Sequence, residues 1–157
     1  MAANEQALIR PADAADLPAV ERIVRTAYTK YIARIGKPPG PMLDDYAALV
    51  RAHCVWVAGA PVAGVIVLVG EDDHLLLDNV AVDPAAQGSG VGRALIGFAE
   101  AEARRRGYGE MRLYTHATMT ENIALYGRTG WVETGRGEQD GFDRVFFRKD
   151  FVPFLPK

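Results

Sequence analysis

Three glycines within five residues, Gly88, Gly90 and Gly92, stand between an apolar run, LLLDNVAV, and a segment whose apolar residues recur at helical spacing. A strand that runs through a glycine-rich turn into a helix is a restrictive arrangement. The first amide N–H groups of the helix have no partner within it, and the positive end of the helix dipole converges on the same point. Glycine permits backbone angles, and a close approach by another molecule, that a side chain blocks. The stretch DPAAQGSGVGRAL, residues 83–95, is therefore either an anion-binding turn or a tight turn packed against its own protein.

Two familiar phosphate patterns do not fit it. A P-loop places Lys-Ser/Thr after its last glycine, and no lysine occurs between Lys37 and Lys149. The dinucleotide pattern Gly-x-Gly-x-x-Gly, begun at Gly88, has Arg93 in its sixth position; begun at Gly90, it runs into Ala94 and Leu95.

The flanking segments supply the frame. QALIR before Pro11 reads as a short strand, and Asp13 or Asp16 can cap a helix whose first turn tolerates Pro18. Leu17, Val20, Val24, Ala27, Tyr28 and Tyr31 give that helix one buried stripe, and RIGKPPGPM ends it. A short helix over about 43–52 follows. The runs HCVWVA, VAGVIVLV and LLLDNVAV, separated by Gly59-Ala60-Pro61 and by Gly70-Glu71-Asp72-Asp73, read as an antiparallel meander. Val91, Ala94, Leu95, Phe98 and Ala101 mark a helix stopped by Gly107, with Glu100 and Arg104 spaced as an exposed i,i+4 pair. MRLYT is a further strand, 119–128 a helix, and WVETG and FDRVFFRK the last two strands.

With 157 residues, 49% of them apolar, the chain suits one hydrophobic core and is short for two. A net charge of −2 gives no field that gathers nucleic acid or an anionic membrane. Arg104-Arg105-Arg106 and Arg148-Lys149 read as solvated ends of elements. The one cysteine, Cys54, has no internal disulfide partner and reads as a small packed hydrophobe. Three histidines with no short mutual spacing do not make a zinc set, and no metal is expected. MAANEQALIRP lacks the basic and apolar regions of a signal peptide, and no uncharged run approaches the ~20 residues that cross a bilayer. The expected location is the cytoplasm.

Val82-Asp83-Pro84, followed by Gln87-Gly88-Ser89-Gly90-Val91-Gly92, fits the pattern Gln/Arg-x-x-Gly-x-Gly/Ala after a Val-x-Pro. With ENIALYGRTGW about thirty residues further on, the chain closely resembles the GCN5-related N-acetyltransferase (GNAT) family over nearly its whole length. The resemblance implies one α/β (α+β) domain over 1–157, with a mixed, mostly antiparallel sheet of six to seven strands flanked by about four helices. It also implies acetyl-coenzyme A as the acetyl donor and direct attack by a primary amine of a small molecule, peptide or protein, without an acyl-enzyme. The alternative is a non-catalytic domain that senses acyl-coenzyme A.

The resemblance further implies roles for residues. The amides of Gly88, Ser89, Gly90, Val91, Gly92 and Arg93 hold the pyrophosphate, and Gln87, which opens the motif, belongs to the same coenzyme site. Val80, Ala81 and Val82 hydrogen-bond the pantetheine arm and the acetyl carbonyl, as main-chain donors that favour charge developing on that oxygen. Tyr126 protonates the departing thiolate, a task suited to a phenol with a pKa of about 10; by periodicity alone it is a helix-face aromatic. Asn122, one turn earlier, contacts the coenzyme. Asp78, in an otherwise apolar strand, is the base or amine anchor, or else a structural hydrogen-bonding group; alternation puts Asn79 on the opposite face. His116 is the other candidate at the amine, unless it is an exposed loop histidine. Tyr28, Tyr31, Arg34 and Met42 line the acceptor pocket, or else the tyrosines are core and Arg34 a solvated charge. The aromatic run Phe142, Phe146, Phe147, Phe151 and Phe154 is either a homodimer surface or core.

Overall fold

The computed structural model describes residues 8–152. Seven strands form one sheet, β1 (Ile9–Pro11), β2 (Val55–Ala58), β3 (Gly64–Gly70), β4 (Leu75–Val82), β5 (Glu110–His116), β6 (Val132–Gln139) and β7 (Phe142–Asp150). Their order across the sheet is β1-β2-β3-β4-β5-β7-β6. Four α-helices accompany them, α1 (Leu17–Ile35), α2 (Tyr46–Arg51), α3 (Val91–Arg105) and α4 (Thr120–Arg128). The pairs β1–β2, β2–β3, β5–β7 and β6–β7 are antiparallel, and β4–β5 is parallel. A parallel pair needs a crossover, and α3 supplies it. The mixed, mostly antiparallel sheet with four helices is the architecture expected above. Packing gathers residues 8–68 and 79–99 into one compact unit and residues 69–78 and 100–152 into a second.

In the first unit, Val20, Ile23 and Val24 of α1 are buried, as are Val55 and Val57 of β2 and Val65 and Val67 of β3. Gly64 permits close packing of α3: a Cβ there would lie 2.6 Å from Val91 Cγ1 and 2.9 Å from Leu95 Cδ1. The start of α1 is more elaborate than its sequence suggests. Asp13 caps a 3-10 turn, Ala14–Asp16, in a capping box, whereas Asp16 makes no side-chain cap of α1. Its carboxylate instead takes Arg10 Nη1 at 2.8 Å and Nη2 at 2.9 Å, which, with the Asp13 N–H, holds its pKa at about 2. The segment RIGKPPGPM breaks the helix at Gly36, whose φ is 87°. The expected helix over 43–52 is shorter: Gly40–Leu43 is a 3-10 turn and α2 starts at Tyr46, capped by Asp45.

In the second unit, β5 and β7 pair from Glu110↔Asp150 to His116↔Arg144, and β6 pairs with β7 through a register shift between Glu133 and Gly135. The expected Glu100–Arg104 pair does not form. Glu100 pairs with Lys149 of β7, and Arg104 lies over the Phe151 ring. Ala101, expected on the buried stripe of α3, is exposed, and the buried face carries Glu102 and Ala103 instead. Arg105 and Arg106 pair with that glutamate, so the arginine run is not simply solvated. Phe142 and Phe147 are core, Phe146 and Phe151 are half-buried, and Phe154 lies outside the described residues, as does the part of QALIR before Leu8. Among the described residues, no helix is long and apolar enough to cross a membrane.

Candidate functional site

The glycine turn is built from its own backbone. Asp83 accepts from Ala85 N–H at 3.0 Å and pairs with Arg22 at 3.0 Å, while its own N–H donates to Ala63 O at 2.8 Å. A 3-10 turn, Pro84–Ala86, follows, closed by Gln87 N–H to Pro84 O, and Ser89 N–H then donates to Ala86 O. Gly88 and Gly90 have φ of 85° and 92°, a region that favours glycine, and a Cβ on either would meet nothing within 4 Å. These glycines therefore do not make room for the protein's own packing. The first bond of the α3 ladder runs from Ala94 N–H to Gly90 O, so the N–H groups of Val91, Gly92 and Arg93 precede it. An open surface over a set of amide donors at the start of a 15-residue helix fits a pyrophosphate. The Val91 side chain is core, the Ser89 hydroxyl is bonded to Ala86 O, and the side chains of Gln87 and Arg93 are exposed. Of the strand that feeds the turn, Ala81 is buried and Val80 and Val82 are half-buried.

Beside it in the same unit lies a buried polar network that sequence reasoning did not find. Tyr28 OH is 2.5 Å from Asn79 Oδ1 and 3.0 Å from Val80 O; Asn79 Nδ2 donates to Tyr46 OH at 2.9 Å, and Tyr46 OH donates to Pro41 O at 2.5 Å. Asn79, on the buried side of β4, thus joins α1 and α2 to the strand before the glycine turn. An asparagine at a core position of an alternating strand is the signal that could have found it. Tyr31 is buried with Lys30 and Arg34 over its ring, and Met42 is half-buried.

The second unit brings together another group. Asp78, on the half-buried side of β4, accepts from Tyr114 OH of β5 at 3.3 Å. Burial pushes its carboxyl above the usual carboxylate range, against the Tyr114 hydrogen bond and the nearby Arg144 charge, which pull the other way. Arg144 of β7 lies over the Tyr114 ring, 4.1 Å from its centre. His116 is not an exposed loop residue: it is buried in the last position of β5, edge-on to Phe142. The Thr118 N–H donates to its Nδ1 at 3.1 Å, so in the neutral ring the proton sits on Nε2. Tyr126 is buried on α4 between the rings of Trp131, 5.9 Å away, and Phe147, 5.7 Å away. Asn122 Nδ2 approaches Met119 Sδ at 3.7 Å. Tyr114 and Arg144 went unnoticed in the sequence, although Tyr114 lies two residues before His116 and so shares its face of β5. Among the described residues, no group of three His, Cys, Asp or Glu side chains is placed to hold a metal ion.

These elements define a domain of the GNAT class. The acetyltransferase (GNAT) domain family matches residues 51–133, more than half of the chain, and the chain belongs to that family. It is 33% identical over 81 residues to the ribosomal protein bS18 alanine N-acetyltransferase of Escherichia coli strain K12, covering 52% of this chain and 47% of that protein. The matches span less than half the length of the curated relatives. Among solved structures, the ribosomal-protein-alanine N-acetyltransferase of Brucella melitensis shares 27% identity over 92% of this chain and 99% of that one, with a TM-score of 0.70. The PaiA N-acetyltransferase of Thermoplasma acidophilum, solved in complex with coenzyme A, shares the fold with a TM-score of 0.76 at 18% identity, over 92% and 98% of the two chains.

Proposed function

We propose that this chain, acting as one domain over 1–157, transfers an acetyl group from acetyl-coenzyme A directly to a primary amine in the cytoplasm. The observation that carries the reading is the glycine turn. Its two positive-φ glycines face open space ahead of the unpaired α3 amides, within the region that matches the family. The amides of 88–93 hold the pyrophosphate, and the main chain of Val80, Ala81 and Val82 orients the thioester and its carbonyl. Asp78 takes a proton from the amine, directly or through water. As the C–N bond forms and the C–S bond breaks, Tyr126 gives its phenolic proton to the departing sulfur. Tyr28 and Tyr46, through Asn79, set the position of the 36–44 segment, whose Met42 meets the acceptor together with Tyr31 and Arg34 of α1; Asn122 supports the coenzyme.

The test is release of free thiol from acetyl-coenzyme A across a panel of amines, beside a melting curve with the coenzyme present. A ligand at about 100 times its Kd adds roughly 2.7 kcal/mol, so the melting point should rise. A non-catalytic sensor gives that rise without amine-dependent thiol; NAD or ATP matching the rise would overturn the coenzyme assignment.

A further inference from the structure

Arg144 is a charge placed where a charge is costly. The residue is 9% exposed, its Nε–H has no acceptor among the described residues, and none of their carboxylates lies within ion-pair reach of it. Arginine keeps its proton in proteins, so the group is a buried cation. The rings of Tyr114 and Phe142, 4.1 Å and 5.1 Å from Cζ, compensate for only part of its lost hydration. Other arginines of the same unit differ: Arg112 is bonded to Glu110, Arg136 to Glu133 and Arg148 to Asp150. The nearest structural candidate, Asp78, is hydrogen-bonded by Tyr114 rather than by the guanidinium.

The register shows how another molecule could reach this charge. Arg144 is flanked by His116 on β5 and by Gly137 on β6. His116 Nδ1 is occupied by Thr118, and a Cβ on Gly137 would meet nothing within 4 Å. The β6 flank is therefore open space. Tyr114 carries opposite charges at its two ends, Asp78 at its hydroxyl and Arg144 over its ring.

We propose that Arg144 receives a carboxylate of the acceptor, making the acceptor a small amino acid with a free acid group rather than a polyamine or a protein lysine. The proposal rests on the acetyl-transfer reading above. The amine end meets Asp78 and the carboxylate, a few bonds away, meets the guanidinium. An acceptor without the acid leaves the Nε–H buried with no acceptor, which is the source of discrimination.

The experiment compares amino acids with their carboxamides in thiol release. In the parent, kcat/KM should favour the acid by about tenfold or more, and Arg144→Met should bring the two within about twofold. Arg144→Lys, which keeps the charge but not the planar fork, should fall between them. The melting point of Arg144→Met should hold or rise, because a neutral side chain replaces a buried cation whose Nε–H has no acceptor; a structural arginine would make it fall. Calorimetric titration of N-acetyl amino acids and their amides, with coenzyme A present, reads the same preference without turnover. The proposal is overturned if the parent treats acid and amide alike in both assays, or if Arg144→Met keeps the preference. Failure of acetyl transfer itself would look different: no amine of any class releases thiol, while the titration still decides the role of Arg144.

Discussion

Tyr28 and Asn79 share a buried hydrogen bond of 2.5 Å, and through it the longest helix of the first unit is tied to the strand that leads into the glycine turn. The Tyr28 hydroxyl has one proton and two acceptors within reach, Asn79 Oδ1 and Val80 O, while Asn79 donates its amide to Tyr46. Because Tyr46 in turn donates to Pro41 O, the chain of bonds ends in the proline-rich segment expected to meet the acceptor. Asn79→Leu leaves two tyrosine hydroxyls without their shared partner, and should lower stability by about 2–3 kcal/mol in chemical denaturation. In assays below the melting point, KM for the amine should rise more than KM for acetyl-coenzyme A. A variant as stable as the parent would show that the network is not a structural tie.

Gly90→Val separates space from conformation. A side chain there has room, since nothing lies within 4 Å, yet a φ of 92° strains a β-branched residue by about 1–2 kcal/mol. The room is what a bound pyrophosphate would use, so the Kd for acetyl-coenzyme A should rise by about tenfold or more. Gly97→Ala, on the exposed side of α3, is the control: it should raise stability by about 0.5–1 kcal/mol and leave coenzyme binding unchanged. Equal coenzyme affinity in Gly90→Val and the parent would make the turn merely structural.

What could be read ahead of the structure was local. The glycine turn, the meander and the α1 stripe follow from spacing and turn residues that lie within a few positions of one another. Long-range partners were not legible in this way. Glu100 has the spacing to pair with Arg104, but Lys149 arrives from β7 and takes it, which no window on α3 can reveal. His116 looks like a loop residue because Ala117 and Thr118 follow it, yet pairing with Arg144 keeps it in the strand and buries it. Arg144 itself sits in a run, FDRVFFRK, where a charge reads as solvent-facing. Its burial comes from Tyr114 and Phe142, which the fold of β5 against β7 supplies.

Tyr126→Phe removes one hydroxyl and leaves the edge-on contact with Trp131 and the tilted contact with Phe147 in place, so coenzyme affinity should stay close to the parent value. Because a thiolate is a fair leaving group unaided, kcat should fall by about tenfold to a hundredfold, the lower part of the range for general acids, with KM for acetyl-coenzyme A nearly constant. A kcat within about twofold of the parent, under conditions where chemistry limits the rate, would remove Tyr126 as the acid. Loss of coenzyme binding would instead make the hydroxyl a binding group.

The Asp78 carboxyl sits above the ordinary carboxylate range because of burial, with Tyr114 and Arg144 opposing the shift. Its unfolded counterpart, near 3.9, loses its proton first as pH rises. Between the two pKa values the native state binds more protons, so the Asp78 contribution to stability falls as pH rises through that window and stays lower above it. Asp78→Asn removes the ionising group, and its stability relative to the parent should increase across the same window in a denaturation series at stepped pH. Activity should run the other way. As the base, Asp78 must be ionised, so kcat/KM in the parent should rise with pH where its stability falls. Tyr114, Arg144 and His116 are the other ionisable or charged groups of this cluster. His116→Gln should leave the acidic limb in place. Survival of that limb in Asp78→Asn, with activity within about twofold of the parent, would move the amine proton to water or to another base.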